Sequence, residues 1–169
     1  MAWWVKVNAA ESQQGYNGAD RGREMSDTNT IDPAWANVRA QLRRSQPAFY
    51  ELEAEGPLLM DLGGDGWLLE ITPDGRLLCQ MGMAIDDIKT LMSEGTPEDL
   101  GTDEVAKQAK WYLQPAVAKF RPTLRGAGFE ETSAMTEDYV ATMFQKTVDF
   151  RKPEDVEQAV QWCRQQFGA

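Results

Sequence analysis

Apolar residues recur along the chain with a period that changes, and the changes divide it into elements. From Asp32 onward, Trp35, Val38 and Leu42 fall three and four residues apart, which sets them on one face of a helix. Asp32 suits the N-cap and Pro33 the first helical position, where proline's missing N–H costs nothing. Pro47 interrupts this helix, and Ala48 to Glu55 are expected to form a second short turn of helix ending at Gly56.

Residues 57–83 change to a period of two. Trp67, Leu69 and Ile71 alternate in one run, and Leu77, Cys79, Met81 and Met83 in the next. Gly63-Gly64-Asp65-Gly66 and Pro73-Asp74-Gly75 separate three strand-length runs, which predicts an antiparallel meander with one apolar face. A helical period returns with Ile85, Ile88 and Leu91 or Met92. Thr96-Pro97-Glu98-Asp99 and Thr102-Asp103-Glu104 each resemble a capped helix start. A longer helix is expected over 103–120, with a stripe of Val105, Ala109, Tyr112 or Leu113, Ala116, Val117 and Phe120 and a kink at Pro115. Phe129 to Met135 and Tyr139 to Phe150 read as a hairpin, and Lys152-Pro153 opens a last helix carrying Val156, Ala159, Val160, Cys163 and Phe167. The sum is a two-layer α+β domain: an antiparallel sheet, made of a three-strand meander plus a hairpin, packed with N-terminal, central and C-terminal helices.

Residues 8–30 carry no apolar period. Residues 1–31 are accordingly read as a flexible N-terminal tail and 32–169 as a single domain, and residues 1–24, which precede Met25-Ser-Asp-Thr, as dispensable to the fold. The opening Ala2-Trp-Trp-Val-Lys-Val run turns polar at Asn8, too short for a signal-peptide core, and no later run approaches a membrane span. A cytoplasmic location without membrane attachment is expected.

Charge alters the functional picture more than the structural one. Lys and Arg number 17 against 27 Asp and Glu, a net charge of -10, and the chain has no histidine. Serine and cysteine triads, HExxH zinc sites and imidazole proton shuttles are thereby excluded. The acidic balance disfavours nucleic acid, which is bound by clustered cations. GxGxxG and GxxxxGK[ST] are missing, so no nucleotide cofactor is expected. Asp61-Leu-Gly-Gly-Asp65-Gly66 invites comparison with a calcium loop, but Thr72 stands where an EF-hand needs its twelfth-position acid, so turn chemistry explains it and no metal is assigned. Cys79 and Cys163 lie far apart without a CxxC and read as buried thiols, with a disulfide as the alternative. Glu130-Glu131 and Glu137-Asp138 could pair for acid-base work, but on an exposed hairpin they read as solubilising charges.

The charge is also patterned. Asp86, Asp87, Glu94, Glu98, Asp99, Asp103 and Glu104 face Lys89 alone over residues 84–105, whereas Lys107, Lys110, Lys119, Arg121 and Arg125 follow without an acid up to residue 125. A helix dipole favours this order, and so would a surface that receives a partner. Six tryptophans are more than the core positions require. Trp111, between Lys110 and Tyr112, and Trp67, heading a strand, are candidate contacts, because exposed aromatics beside cations anchor interfaces. The predicted partner-binding set is Lys107, Lys110, Trp111, Asp86, Asp87 and Trp67.

The element order of residues 32–168, with the acidic balance and small size, resembles two bacterial families, the class I type III secretion chaperones and the YbjN-like proteins. Both have an initial helix, a three-stranded meander, a helix, a strand pair and a final helix. The resemblance implies a cytoplasmic homodimer that binds a protein partner, such as a secreted effector, without catalysis. No motif aligns, so no functional residue carries over. The reading taken forward is a non-enzymatic, chaperone-like protein-binding domain. An immunity protein that neutralises a cognate toxin is the first alternative, and an enzyme using carboxylate or Lys chemistry the second.

Overall fold

The structure is a computed structural model that describes residues 32–63, 66–92, 102–136 and 138–169. Its elements are α1 (Pro33–Ser45), β1 (Leu58–Asp61), β2 (Leu68–Ile71), β3 (Arg76–Ala84), α2 (Ile85–Met92), α3 (Thr102–Gly126), β4 (Glu130–Met135), β5 (Tyr139–Thr147) and α4 (Pro153–Phe167). The strands form one antiparallel sheet in the order β1-β2-β3-β5-β4, so the meander and the hairpin join through β3 and β5. The α+β class read from the sequence is therefore present. The expected tail, Glu137, Asp65 and the start at Thr96 to Asp99 lie outside the described residues.

Register assigns the faces. Leu69 pairs with Cys79, and Cys79 pairs with Phe144. With Leu58, Met60, Ile71 and Leu77 these side chains form the helix-facing side of the sheet. Trp35, Val38 and Leu42 of α1, Leu113, Val117, Phe120 and Leu124 of α3, and Val156, Val160 and Cys163 of α4 pack onto it. Asp32 caps α1 as expected, its carboxylate accepting from the Ala34 N–H at 2.9 Å. Ile85 and Ile88 of α2 join Val105, Ala109 and Val140 in a smaller cluster on the same side.

Three expectations need correction. Residues 48–55 are not helical: Phe49 enters the core, and Tyr50 bridges Leu59 through two backbone hydrogen bonds of 2.9 Å. Without the N–H that Pro47 lacks, an extended strand-edge pairing satisfies this backbone better than a helical turn. The long helix runs past Phe120 to Gly126, with both Pro115 and Pro122 inside it. Each interior proline costs about 3 kcal/mol, but the four α3 side chains buried in the main core contribute about 1.5–3 kcal/mol each, so packing prevails. Trp67 is not a surface residue. It is 1% exposed, its ring centroid 5.6 Å from Phe120, 6.1 Å from Phe144 and 5.0 Å from Phe167. The turn after β1 curls it under the helices, which removes it from the partner-binding set. Gly63 and Gly66 adopt positive φ in that turn, as turn chemistry requires.

Cys79 on β3 and Cys163 on α4 are free, buried thiols with sulfur atoms 3.6 Å apart. The S–H contact with Cys163, and then burial, push the Cys79 thiol up.

The sheet is buried on its other face too. Leu59, Leu68, Leu78 and Ala141 are each at most 5% exposed there, as are Glu70 and Gln80. The Glu70 carboxylate accepts a 2.7 Å bond from the Gln80 amide, yet burial raises it from its usual 4.5 to about 6. A raised carboxyl favours the native state while protonated, so stability should fall as pH rises from about 4.5 to about 6. Glu51 and Glu131, lowered by their arginine partners, act in the opposite sense and below that window. Unfolding free energies of wild type and Glu70→Gln from urea titrations should coincide near pH 4 and diverge by about 2 kcal/mol above pH 6, the variant being the more stable. Equal midpoints at pH 7 would contradict this assignment.

Candidate functional site

The length of α3 builds the site. Lys110, Gln114, Val117, Arg121 and Arg125 recur at helical spacing, so they line one side of the helix over its C-terminal two thirds. Beneath that side runs the hairpin. Glu131 and Ser133 of β4 share the helix-facing side with their register partners Phe144 and Thr142 of β5. Between helix and hairpin lies a groove of about 510 Å³, walled by the α3 stripe and floored by Glu131, Ser133 and Thr142.

Glu131 fixes its geometry. Arg121 donates from Nε and Nη2 to the carboxylate at 2.8 and 2.9 Å, and Arg125 Nη2 donates at 2.8 Å. Bidentate guanidinium–carboxylate pairing is directional, so the clamp sets the height of α3 over β4. The hydrogen bonds from Arg121, and then the nearby charges, hold the Glu131 carboxyl below the usual carboxylate range. One carboxylate against Lys110, Arg121 and Arg125 leaves the groove cationic on a protein whose net charge is -10. The neutral hydroxyls of Ser133 and Thr142 add donors without adding charge.

Trp111 stands beside the upper end of the groove, 64% exposed, with Tyr112 edge-on at 5.1 Å. Lys107 and Gln114 are one helical turn away on either side of Trp111. Lys107 approaches Glu104 at 3.8 Å, but both side chains are more than half exposed, so that pair contributes little. The structure thus brings Lys107, Lys110 and Trp111 together. Asp86 and Asp87 are exposed in the first turn of α2, where they complement its dipole as Asp103 and Glu104 do on α3. They do not line the groove.

Glu131 was passed over as a solubilising charge. Its strand parity with buried Phe144 carries the signal, since that parity turns it under α3 toward the two arginines. Glu130 points the other way and is exposed. The outer edge of β4 has no strand partner among the described residues. Also among those residues, no group of three Cys, Asp or Glu could hold a metal ion, and no helix is long and apolar enough to cross a membrane. No protein-family model, curated protein or solved structure matches this chain.

Proposed function

We propose that this chain is a non-enzymatic protein-binding domain, and that the α3/β4 groove receives an acidic, extended segment of a protein partner. The exposed Trp111 on a lysine-bearing helix face carries the reading. An indole left 64% exposed presents a large apolar surface to water, and Trp is among the residues enriched at binding hot spots. The cationic groove selects for acidic sequence, and the open edge of β4 offers backbone pairing to an extended chain. A secretion-chaperone-like role, in which the domain holds part of a secreted protein, accommodates both features.

Affinity purification from the native cell, with wild type and with Trp111→Ala and Lys110→Glu, tests the reading. One partner should be retained by wild type and weakened at least tenfold by either variant, with melting temperatures unchanged because both side chains are exposed. Binding should also weaken with added salt. A partner retained equally by all three proteins would place the contact elsewhere. A tightly held folded enzyme, in place of an extended segment, would favour the immunity-protein alternative.

A further inference from the structure

Two nucleophilic groups in the main core take no part in the α3/β4 groove. Cys79 on β3 and Cys163 on α4 are the only two cysteines of the chain. Both are free and fully enclosed, and their sulfur atoms lie 3.6 Å apart although 84 positions separate them in sequence. That separation is a non-bonded contact, and a covalent bond would draw the sulfurs in to about 2.0 Å.

The surroundings narrow what this pair can do. No third Cys, Asp or Glu joins it among the described residues, so those residues build no metal site around it. A catalytic dithiol keeps a sulfur at the surface to meet its substrate, whereas both of these are enclosed by apolar side chains. What remains is their proximity. Packing of α4 onto the sheet holds each thiol against the other, so a bond between them needs no second molecular encounter once one sulfur has been activated.

We propose that Cys79 and Cys163 form a thiol–disulfide lock, in which oxidation by a small-molecule disulfide joins the two sulfurs and ties α4 to the sheet. Buried thiols and a disulfide, the two readings of the sequence, are then two states of one pair. β3 is hydrogen-bonded to β2 on one side and to β5 on the other, whereas α4 meets the sheet through side chains, so α4 is the element that lifts to admit the oxidant. The raised Cys79 thiol keeps the closed core unreactive and confines exchange to that open form. There, one cysteine thiolate attacks a sulfur of the oxidant, whose S–S bond breaks and releases the first small thiol, leaving a mixed disulfide. The other cysteine thiolate then attacks the protein-borne sulfur of that mixed disulfide and displaces the second small thiol. In sum the two cysteines lose two protons and two electrons, and one small disulfide becomes two small thiols. The new bond closes a loop spanning 84 positions, which restricts the unfolded chain and makes the oxidised form the more stable. Neither cysteine lines the α3/β4 groove, so the lock is independent of the partner-binding reading.

The test uses the full-length chain, incubated with excess oxidised glutathione in native buffer and in urea just below the unfolding midpoint. Mass spectrometry should show a monomer lighter by two hydrogens, and digestion without reductant a peptide pair joined through Cys79 and Cys163. The melting temperature should rise by about 10 °C over the reduced protein and return when dithiothreitol is added. Cys163→Ala, treated in the same way, should show no such rise, and the comparison of oxidised with reduced wild type stands without any variant. Glutathione adducts that go no further, a dimer linked through sulfur, thiols still unmodified in the urea sample, or a disulfide that leaves the melting temperature unchanged or lower would each overturn the proposal.

Discussion

Trp67→Ala is expected to lower the melting temperature by about 10–15 °C. The indole is fully enclosed, with Phe120, Phe144 and Phe167 around it, so truncation removes its transfer energy and leaves a cavity bounded by rings from α3, β5 and α4. Large-to-small changes of this kind cost about 3–5 kcal/mol, and each kcal/mol is worth roughly 3 °C in a chain of this size. The indole N–H has no hydrogen-bond partner among the described residues, so packing alone fixes it. Trp67→Phe, which keeps a ring there, should therefore recover more than half of the loss. Calorimetry decides: a shift below about 3 °C, together with weakened partner binding, would return Trp67 to the surface role its sequence position suggested.

Gly82→Ala should be nearly as damaging for the opposite reason. Gly82 pairs with Ala141 across β3 and β5, and a Cβ there would overlap the Val140 carbonyl oxygen and the ring of Tyr139. An aromatic ring laid over a strand glycine protects the backbone that the glycine leaves bare, which is why no methyl fits. Because one of the clashing atoms belongs to the backbone, side-chain rotation cannot relieve it, and about 3 kcal/mol is expected. The urea midpoint should fall while the slope is unchanged. Gly126→Ala is the control: a Cβ at that helix end would meet nothing within 4 Å, so its midpoint should hold or rise slightly. Equal midpoints for the two variants would show that the β3–β5 pairing tolerates a methyl group.

Where a single face of an element is buried, periodicity located it. Trp35, Val38 and Leu42 on α1 and the alternating residues of β3 lie on the helix side as their spacing requires. Legibility failed where two neighbours compete for one segment. β2 is buried on both faces, so Leu68 and Glu70 break the alternation that Leu69 and Ile71 suggest. Residues 48–55 exchange local helical bonds for a bridge to β1 that no local pattern announces. The helix expected to end at residue 120 continues through Pro122 to Gly126, because a buried stripe lies on both sides of each proline. The site divides similarly. The charge pattern and Trp111 were visible along one helix, whereas the Glu131 clamp depends on a strand that follows a turn and was invisible to linear spacing.

The order of the sheet has a kinetic consequence. Within β1-β2-β3 and within β4-β5, pairing joins neighbours in sequence, and such hairpins close in microseconds. Among the described strands only β3–β5 joins distant segments, Ala84 to Tyr139 at its near end, and closing a loop of that length costs about 3–4 kcal/mol in chain entropy before any contact compensates. Its nine register pairs enclose α2 and α3 within that loop. The docking of the two ribbons along this seam is therefore the expected slow step of folding, and α3, which presses on both β3 and β5, straddles it.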